Sequence, residues 1–181
     1  ERRRATAEAV SGLLESALSA ANPHEVKGAG YTVRQMVDEM SRGLHERLIG
    51  QPEVEARVRL TIGNAYRVMG EPGKAQEHLE AAVALQRQML GSESPVVARS
   101  TADLAWVLHD KSDYAGAESL LRGALAMQVK LLGPTSGDVA ETKLALSDVL
   151  RHTGQFDQAA VLGNEALALR RSLGGDNDPE T

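Results

Sequence analysis

Apolar and small residues recur along this chain at the three- and four-residue intervals of an amphipathic helix. The pattern returns after 42 residues: residues 54–95 and 96–137 are identical at 11 positions, and residues 96–137 and 138–179 at 12. Shared composition alone would give about three or four identities in such a window. The chain is therefore predicted to contain three stacked units of one supersecondary structure.

Each unit is predicted to form two helices joined by a turn. In the first unit, Ile62 and Tyr66 lie on one face of the first helix, and residues 70–73 form the turn. The second helix carries Ala75 and ends at Gly91, because glycine adopts a left-handed helix cap at little cost. Small residues 12 positions apart would let the two backbones approach closely. These pairs are Gly63 with Ala75, Ala105 with Ala117, and Ser147 with Ala159.

Two segments of the first unit, Ile62-Gly63-x-x-Tyr66 and Ala75-x-x-x-Leu79, resemble the tetratricopeptide repeat pattern. The period of 42 exceeds the usual value of about 34 and, with the Leu90-Gly91 and Leu132-Gly133-Pro134 links, is similar to the kinesin-light-chain type. The resemblance implies an all-α fold, a right-handed superhelical solenoid of antiparallel helix pairs. HEAT repeats share this range of periods, but the small-residue pairs favour the tetratricopeptide repeat. Departures from the pattern are Arg59, Thr101 and Lys143 in place of Trp, and Gly163 in place of Leu.

The first fifty residues lie outside this period and are predicted to form a two-helix cap. A helix is predicted over residues 5–21, a loop at residues 28–30, and a helix N-cap at Thr32. A second helix would continue to Gly50. Its apolar stripe consists of Val33, Met36, Val37, Met40, Leu44 and Leu48. The predicted domains are the cap over 1–50, three repeat units over 51–175 (about 54–95, 96–137 and 138–175), and the truncated start of a fourth unit at 176–181.

The beginning of the chain carries a narrower resemblance, to the region before the repeats of bacterial membrane-bound serine/threonine protein kinases. The similar residues are Val10, Leu13-Leu14, Pro23, Gly28, Thr32-Val33-Arg34, Asp38 and Gln51-Pro52-Glu53-Val54-Glu55-Ala56. The resemblance implies that the chain is the regulatory or scaffold region of such a kinase. The sequence has none of the kinase motifs themselves and begins at Glu1 rather than Met, so we expect it to be a piece of a longer protein.

Composition and charge exclude several other classes of function. The formal net charge of −5 disfavours sequence-independent binding to nucleic acid or anionic lipid. No apolar run approaches the roughly 20 residues of a membrane-spanning helix, so we expect no direct membrane insertion. The chain has no cysteine and no nucleophile-elbow or P-loop motif, so we expect a protein that is not an enzyme and binds no cofactor.

The histidines were considered as metal ligands. His45-Glu46 lacks the second histidine of a zinc-protease helix. His109 and His152 are expected to approach each other from adjacent repeats, with Asp110 and Asp148 nearby. We interpret them as solvated polar residues on a helix face, so we predict no metal site.

By the resemblance, the first helix of each unit lines a concave groove that binds a partner. The predicted partner-binding residues are Arg57, Asn64, Arg67, Arg99, Asp103, Trp106, His109, Asp148 and Arg151. Trp106 is the most informative of them, since its equivalents are the polar Asn64 and Asp148. It would anchor an apolar side chain of the partner, or else pack on the neighbouring first helix. The arginines would receive an acidic segment, or else pair with Asp103 and surface glutamates.

The predicted function is a non-enzymatic protein-interaction module that binds a protein or peptide segment. The alternative is a structural spacer or a self-association module, in which the last helix, Ala159 to Leu173, pairs with another copy.

Overall fold

The computed structural model describes residues 32–174, which form eight α-helices and no strand. The helices are α1 (Val33–Ser41), α2 (Leu44–Arg47), α3 (Pro52–Val68), α4 (Pro72–Leu90), α5 (Pro95–Asp110), α6 (Tyr114–Leu132), α7 (Gly137–His152) and α8 (Phe156–Gly174). The all-α prediction is confirmed. The helix predicted over 5–21, the loop at 28–30 and the start of a fourth unit at 176–181 lie outside the described residues.

The chain divides into two compact units, Glu1–Met89 and Leu90–Thr181. The first unit holds α1, α2, α3 and nearly all of α4, and the second holds the two hairpins α5–α6 and α7–α8. The core of the second unit is one cluster of side chains from all four of its helices. Its buried members are Ala105, Ala117, Leu121, Ala145, Leu146, Val149, Leu150 and Ala159.

The turns between paired helices lie where they were predicted, but the first is shorter than residues 70–73, because α4 begins at Pro72 and includes Gly73. Each turn needs a left-handed residue. Gly70 ends the turn after α3 with φ 74°, and Gly154 does the same after α7 with φ 77°. The equivalent position after α5 is Ser112, which adopts φ 62° although it is not glycine. Because a side chain makes this conformation costly, Ser112 is the strained member of the three.

Where the two helices of a hairpin pack closely, at a contact called the seam here, a small side chain on one helix faces a larger one on the other. A Cβ at Gly63 would lie 2.8 Å from Cγ of Leu79, so this position of α3 has no room for a side chain. At the equivalent site of the last hairpin, Ser147 on α7 faces Gly163 on α8, and the Ser147 hydroxyl donates a hydrogen bond to the Ala159 carbonyl at 2.7 Å. Gly163, which departs from the family pattern, therefore makes room for the larger Ser147.

The N-terminal helical stripe is broken, contrary to the prediction of one helix up to Gly50. Thr32 caps α1 as predicted, and its side chain and that of Gln35 form a reciprocal capping box. The helix then ends at Ser41, because Gly43 adopts φ 60° and starts the short α2. Val33, the first residue of α1, is 66% exposed, whereas Val37 and Leu44 are buried on either side of the break.

Candidate functional site

The residues predicted to bind a partner lie on the first helix of each hairpin. In the first unit, α3 presents Arg57 as an exposed side chain and Asn64 and Arg67 as half-buried ones. In the second unit, α5 carries Arg99, Asp103, Trp106 and His109, and α7 carries Asp148 and Arg151. Their spacing of three or four residues places the members of each helix on one face.

A cleft of about 550 Å³ opens in the second unit and includes three of the predicted residues, Arg99, Asp103 and Trp106. It is lined mainly by α5 and α7, with one residue each from α6 and α8. The other lining residues are Ala102, Gln128, Asp138, Glu141, Thr142, Leu144, Ala145 and Arg170. The structure therefore places this part of the predicted set around one cavity, whereas His109, Asp148 and Arg151 are not among its lining residues.

Two ion pairs lie along the cleft. The Arg99 guanidinium lies 3.1 Å from Oδ1 of Asp138 on α7, although the sequence had suggested Asp103 and surface glutamates as its partners. Arg170 on α8 lies 2.7 Å from Oε1 of Glu141. In each pair one member is exposed and the other half-buried, so the exposed Arg99 and Glu141 are the members that a bound molecule could reach.

Gln128 and Arg170 are lining residues that sequence reasoning missed. They occupy equivalent positions on the second helices, where the first unit has Gln86. This recurrence of a long polar side chain every 42 residues was the signal that could have identified them. Gln128 is 1% exposed, and its Oε1 has no hydrogen-bond partner within residues 32–174.

The Trp106 ring is partly buried against the hydrophobic cluster of the second unit, and it also lines the cleft. The Trp106 and His109 rings form an edge-to-face contact, with centroids 5.5 Å apart and an interplanar angle of 73°. The packing holds the indole in place while part of its surface faces the cavity.

His109 belongs to a cluster of rings rather than to a solvated helix face, so that part of the prediction was wrong. Its side chain is only 17% exposed and lies against Tyr114 and His152, with ring centroids 5.3 and 4.9 Å away. Tyr114 and His152 stack in turn, with centroids 5.0 Å apart and planes 6° from parallel. His109 Nε2 lies 3.2 Å from Oδ2 of Asp148, while Oδ1 of Asp148 accepts a hydrogen bond from Arg151 at 2.6 Å.

The first unit has a smaller cavity of about 380 Å³, where α1 meets α3 and α4. Asp38 accepts hydrogen bonds from Lys74 at 2.7 Å and from the Tyr66 hydroxyl at 2.8 Å, and these bonds lower the pKa of Asp38. Burial and the hydrogen bond to Asp38 raise the pKa of Tyr66. These contacts attach α1 to the first hairpin.

Two more buried polar residues of this unit face α1 and α2. His78 Nε2 lies 2.8 Å from Oγ of Ser41, and burial lowers the pKa of His78. Because His78 Nδ1 has no hydrogen-bond partner in the described part of the chain, no carboxylate orients the ring as a catalytic base would require. Burial raises the pKa of Glu55, but hydrogen bonds from Arg59 and His45 outweigh it, and the net pKa is lowered.

The comparisons with known proteins agree with this architecture. The family model described as tetratricopeptide repeat matches residues 54–128 and 107–172, which is more than half of the chain. The chain belongs to the tetratricopeptide repeat family. The tetratricopeptide repeat fold generally provides a non-enzymatic scaffold for protein interaction. No curated protein matched the chain.

Several solved structures share the fold. BtubC (BKLC) from P. vanneervenii is similar with a TM-score of 0.69 and 24% identity, over 99% of this chain and 78% of that one. A kinesin light chain with nearly identical TPR-like repeats from Podosopora anserina gives a TM-score of 0.60 and 20% identity, over 97% and 92% of the chains. The TPR domain of Arabidopsis FLU gives 0.59 and 18%, over 67% and 98%. The tetratricopeptide fold of kinesin-light-chain-like type is thus confirmed.

Among residues 32–174, none of the helices is both long and apolar enough to cross a membrane.

Proposed function

We propose that this chain is a protein-interaction module in which the cleft of the second unit binds a segment of a partner protein. The observation that carries the proposal is the combination of a half-exposed tryptophan and a buried, unpartnered amide oxygen around one cavity. Trp106 would hold an apolar side chain, because interface hot spots favour tryptophan in partly desolvated pockets. Gln128 Oε1 would accept a hydrogen bond from a donor of the bound segment, which removes the cost of leaving that oxygen unpaired.

The charges around the cleft suggest how the segment would be oriented. Arg99 and Arg170 each lie beside a carboxylate, so the lining alternates in sign rather than forming one acidic or basic field. An acidic side chain of the partner would compete with Asp138 for the exposed Arg99, and Asp103 would favour a nearby cation. We assign the same type of polar contact to Arg57, Asn64 and Arg67 on the equivalent face of α3, and to Asp148 and Arg151 beside the cleft. His109 was predicted to belong to this set, but both of its ring nitrogens are buried, so we assign it a packing contact with Trp106 instead.

The variability of this face supports the proposal. At equivalent positions the inner face carries Asn64, Trp106 and Asp148, whereas Ala75, Ala117 and Ala159 keep one small residue in all three repeats. This difference gives each repeat its own chemistry on the inner face, as we expect of a surface that recognises a partner.

Affinity capture from the source cells tests the binding site. The baits are the unmodified chain, the double variant Trp106→Ala with Arg99→Glu, and a control with Ile49→Ala and Arg122→Glu. The control also truncates one large apolar side chain and reverses one arginine charge, at exposed positions that do not line the cleft. We expect the control to retain a partner that the cleft variant loses, with all three baits equally folded by circular dichroism.

The captured partner is then titrated against single variants. Trp106→Ala should weaken its affinity at least tenfold, the loss of about 1.4 kcal/mol or more that is typical of a hot-spot residue. Equal capture by all three baits, or an unchanged affinity for Trp106→Ala, would place the binding site away from the cleft and contradict the proposal.

We also infer that the parent protein is a bacterial serine/threonine kinase, with this chain as its regulatory or scaffold region. The support is the resemblance of residues 10–56 to the segment that precedes the repeats in such kinases. The coding sequence upstream of Glu1 tests this inference directly: it should encode a Gly-rich loop, a His-Arg-Asp catalytic loop and an Asp-Phe-Gly motif. Their absence from the full reading frame would refute the kinase assignment.

Self-association is the second candidate function, and the exposed surface of α8 favours it. Val161 and Leu173 are 57% and 55% exposed on this helix, and Phe156 at its first position is also exposed. If α8 pairs with another copy, sedimentation analysis should show a mass that rises with concentration, and Val161→Glu should abolish the rise. Leu162 is unsuitable for this test because it packs against the core.

A further inference from the structure

The ring cluster of the second unit brings three potential metal ligands together from two helices. His109 projects from the end of α5, and Asp148 and His152 lie four residues apart on α7. His109 Nε2 is 3.2 Å from Oδ2 of Asp148, and His152 Nε2 is 3.9 Å from the same oxygen. One ligand atom of each residue lies within 4.8 Å of the other two.

The contact between His109 and Asp148 does not have the geometry of a hydrogen bond. The distance of 3.2 Å would permit one, yet neither ring nitrogen of His109 has a hydrogen-bond partner anywhere in residues 32–174. Both nitrogens are buried, so this is a polar side chain whose bonding capacity is unused. Ligands around a tetrahedral ion with bonds of about 2.0–2.1 Å lie about 3.4 Å apart without bonding one another. The 3.2 Å separation is close to that arrangement, whereas the 3.9 Å separation is longer, so the His152 side chain would have to move toward the ion.

Residues around these three side chains contact them in the way that residues surrounding metal ligands commonly orient those ligands. Asp110 Oδ1 lies 3.6 Å from His109 Nδ1, where a small rotation would let it accept the N–H that a metal-bound imidazole directs outward. Arg151 binds Oδ1 of Asp148 and leaves Oδ2 facing the imidazoles. Tyr114 stacks on His152 and fixes the plane of its ring.

We propose that His109, Asp148 and His152 bind a divalent transition-metal ion such as Zn²⁺. Two imidazoles and one carboxylate suit Zn²⁺, Cu²⁺ and Ni²⁺, whereas Mg²⁺ and Ca²⁺ prefer oxygen ligands. The ion would join α5 to α7, the first helices of the two hairpins in this unit, and leave at least one position for water. This proposal replaces the expectation from the sequence that no metal binds, and it does not depend on the binding of a partner in the cleft.

Titration of the metal-free, untagged chain with Zn²⁺ tests the site. Competition with a chromophoric chelator should show binding in the micromolar range or tighter, and Mg²⁺ at the same concentration should not compete. Asp148→Asn, which keeps the size of the side chain, and His152→Ala should each weaken the binding of Zn²⁺ at least tenfold. His45→Ala is the matched control: it removes an imidazole from α2 in the first unit and should leave the affinity unchanged.

A second measurement separates metal binding from a loss of packing. In nuclear magnetic resonance spectra of the unmodified chain, Zn²⁺ should shift the imidazole signals of His109 and His152 and leave those of His78 in place. The melting temperature should rise with Zn²⁺, since a ligand that binds only the folded state stabilises it. No binding at 100 μM Zn²⁺, or binding that Asp148→Asn and His152→Ala leave unchanged, would overturn the proposal.

Discussion

The first repeat differs from the two that follow at three positions that all face a neighbouring helix. These positions are polar in the first repeat and apolar in the others. The equivalent residues are Glu55, Val97 and Val139; Tyr66, Leu108 and Leu150; and His78, Leu120 and Leu162. In the first unit each polar member contacts α1 or α2, through His45, Asp38 and Ser41 respectively.

The comparison shows that the type of residue at a repeat position depends on which helix packs against that position. Val37 of α1 and Leu44 of α2 are buried, and hydrogen bonds and ion pairs add further contacts between these short helices and the first hairpin. In the second unit, the equivalent positions that are not fully buried, Leu108, Leu120 and Leu162, pack against the apolar cluster. These three repeat positions therefore make polar contacts in the first unit and apolar contacts in the second, although both units have an apolar core.

The largest effect is expected from a change in the seam. Gly63→Ser would place a Cβ 2.8 Å from Leu79 Cγ and 3.2 Å from the Ala75 carbonyl oxygen, and should lower the free energy of unfolding by about 2 kcal/mol. The third repeat accepts serine at the equivalent Ser147 because Gly163 stands opposite. Gly73→Ser is the control, since a Cβ there meets nothing within 4 Å. Equal stability of the two variants in urea denaturation would contradict this account of the seam.

Acid should destabilise the first unit in two steps. The lowered pKa of His78 means that the unfolded state binds a proton more readily, so stability should first fall as the pH drops below about 6.5. The lowered pKa values of Glu55 and Asp38 give a second loss below about pH 4.5, as these carboxylates become protonated.

The loss of stability can be measured by hydrogen exchange of the α1 amides between pH 7.5 and 3.5. We expect the total loss over this range to exceed the loss caused by deleting any single hydrogen bond of α1. His78→Leu, which introduces the residue of the other two repeats, should remove the first loss and keep the second. A pH dependence near 6.5 that survives this substitution would show that another group is responsible.

Removing one bond of α1 should have a smaller effect. Tyr66→Phe keeps the ring but deletes the hydrogen bond to Asp38, and should lower the free energy of unfolding by about 1.5 kcal/mol, as for a bond to a charged acceptor. The variant should also accelerate the exchange of α1 amides and leave those of α7 unchanged, because α7 belongs to the second unit. Equal acceleration in both helices would mean that the two units do not open separately.

The smallest effect concerns the turns. Ser112→Gly should raise the free energy of unfolding by about 0.5 kcal/mol, because glycine adopts φ 62° without strain but is more flexible when unfolded. Gly70→Ser is the reverse change at the equivalent turn and should destabilise. Thermal unfolding of the two variants measures both signs, and a stabilising Gly70→Ser would contradict the equivalence of these turns.

The sequence by itself determined the helices, the turns and the small-residue seam. These features depend on residues that are close in sequence: a helix requires apolar residues at three- and four-residue intervals, and a turn requires a left-handed residue. Both patterns recur 42 residues later. The family resemblance followed from the same residues. The break at Gly43 was missed because the apolar stripe continues across it, with Val37 and Leu44 buried on either side.

The tertiary structure alone decided which side chains meet. The pairing of Arg99 with Asp138, the burial of His109 and its position beside Asp148 and His152 all depend on how closely α5 and α7 approach and which rotamers fit between them. The unpartnered Gln128 in the cleft depends on the packing of α6 behind these helices. Spacing along the chain assigns a residue to a face, but partners on different helices are determined by distances in space, which a linear pattern does not contain.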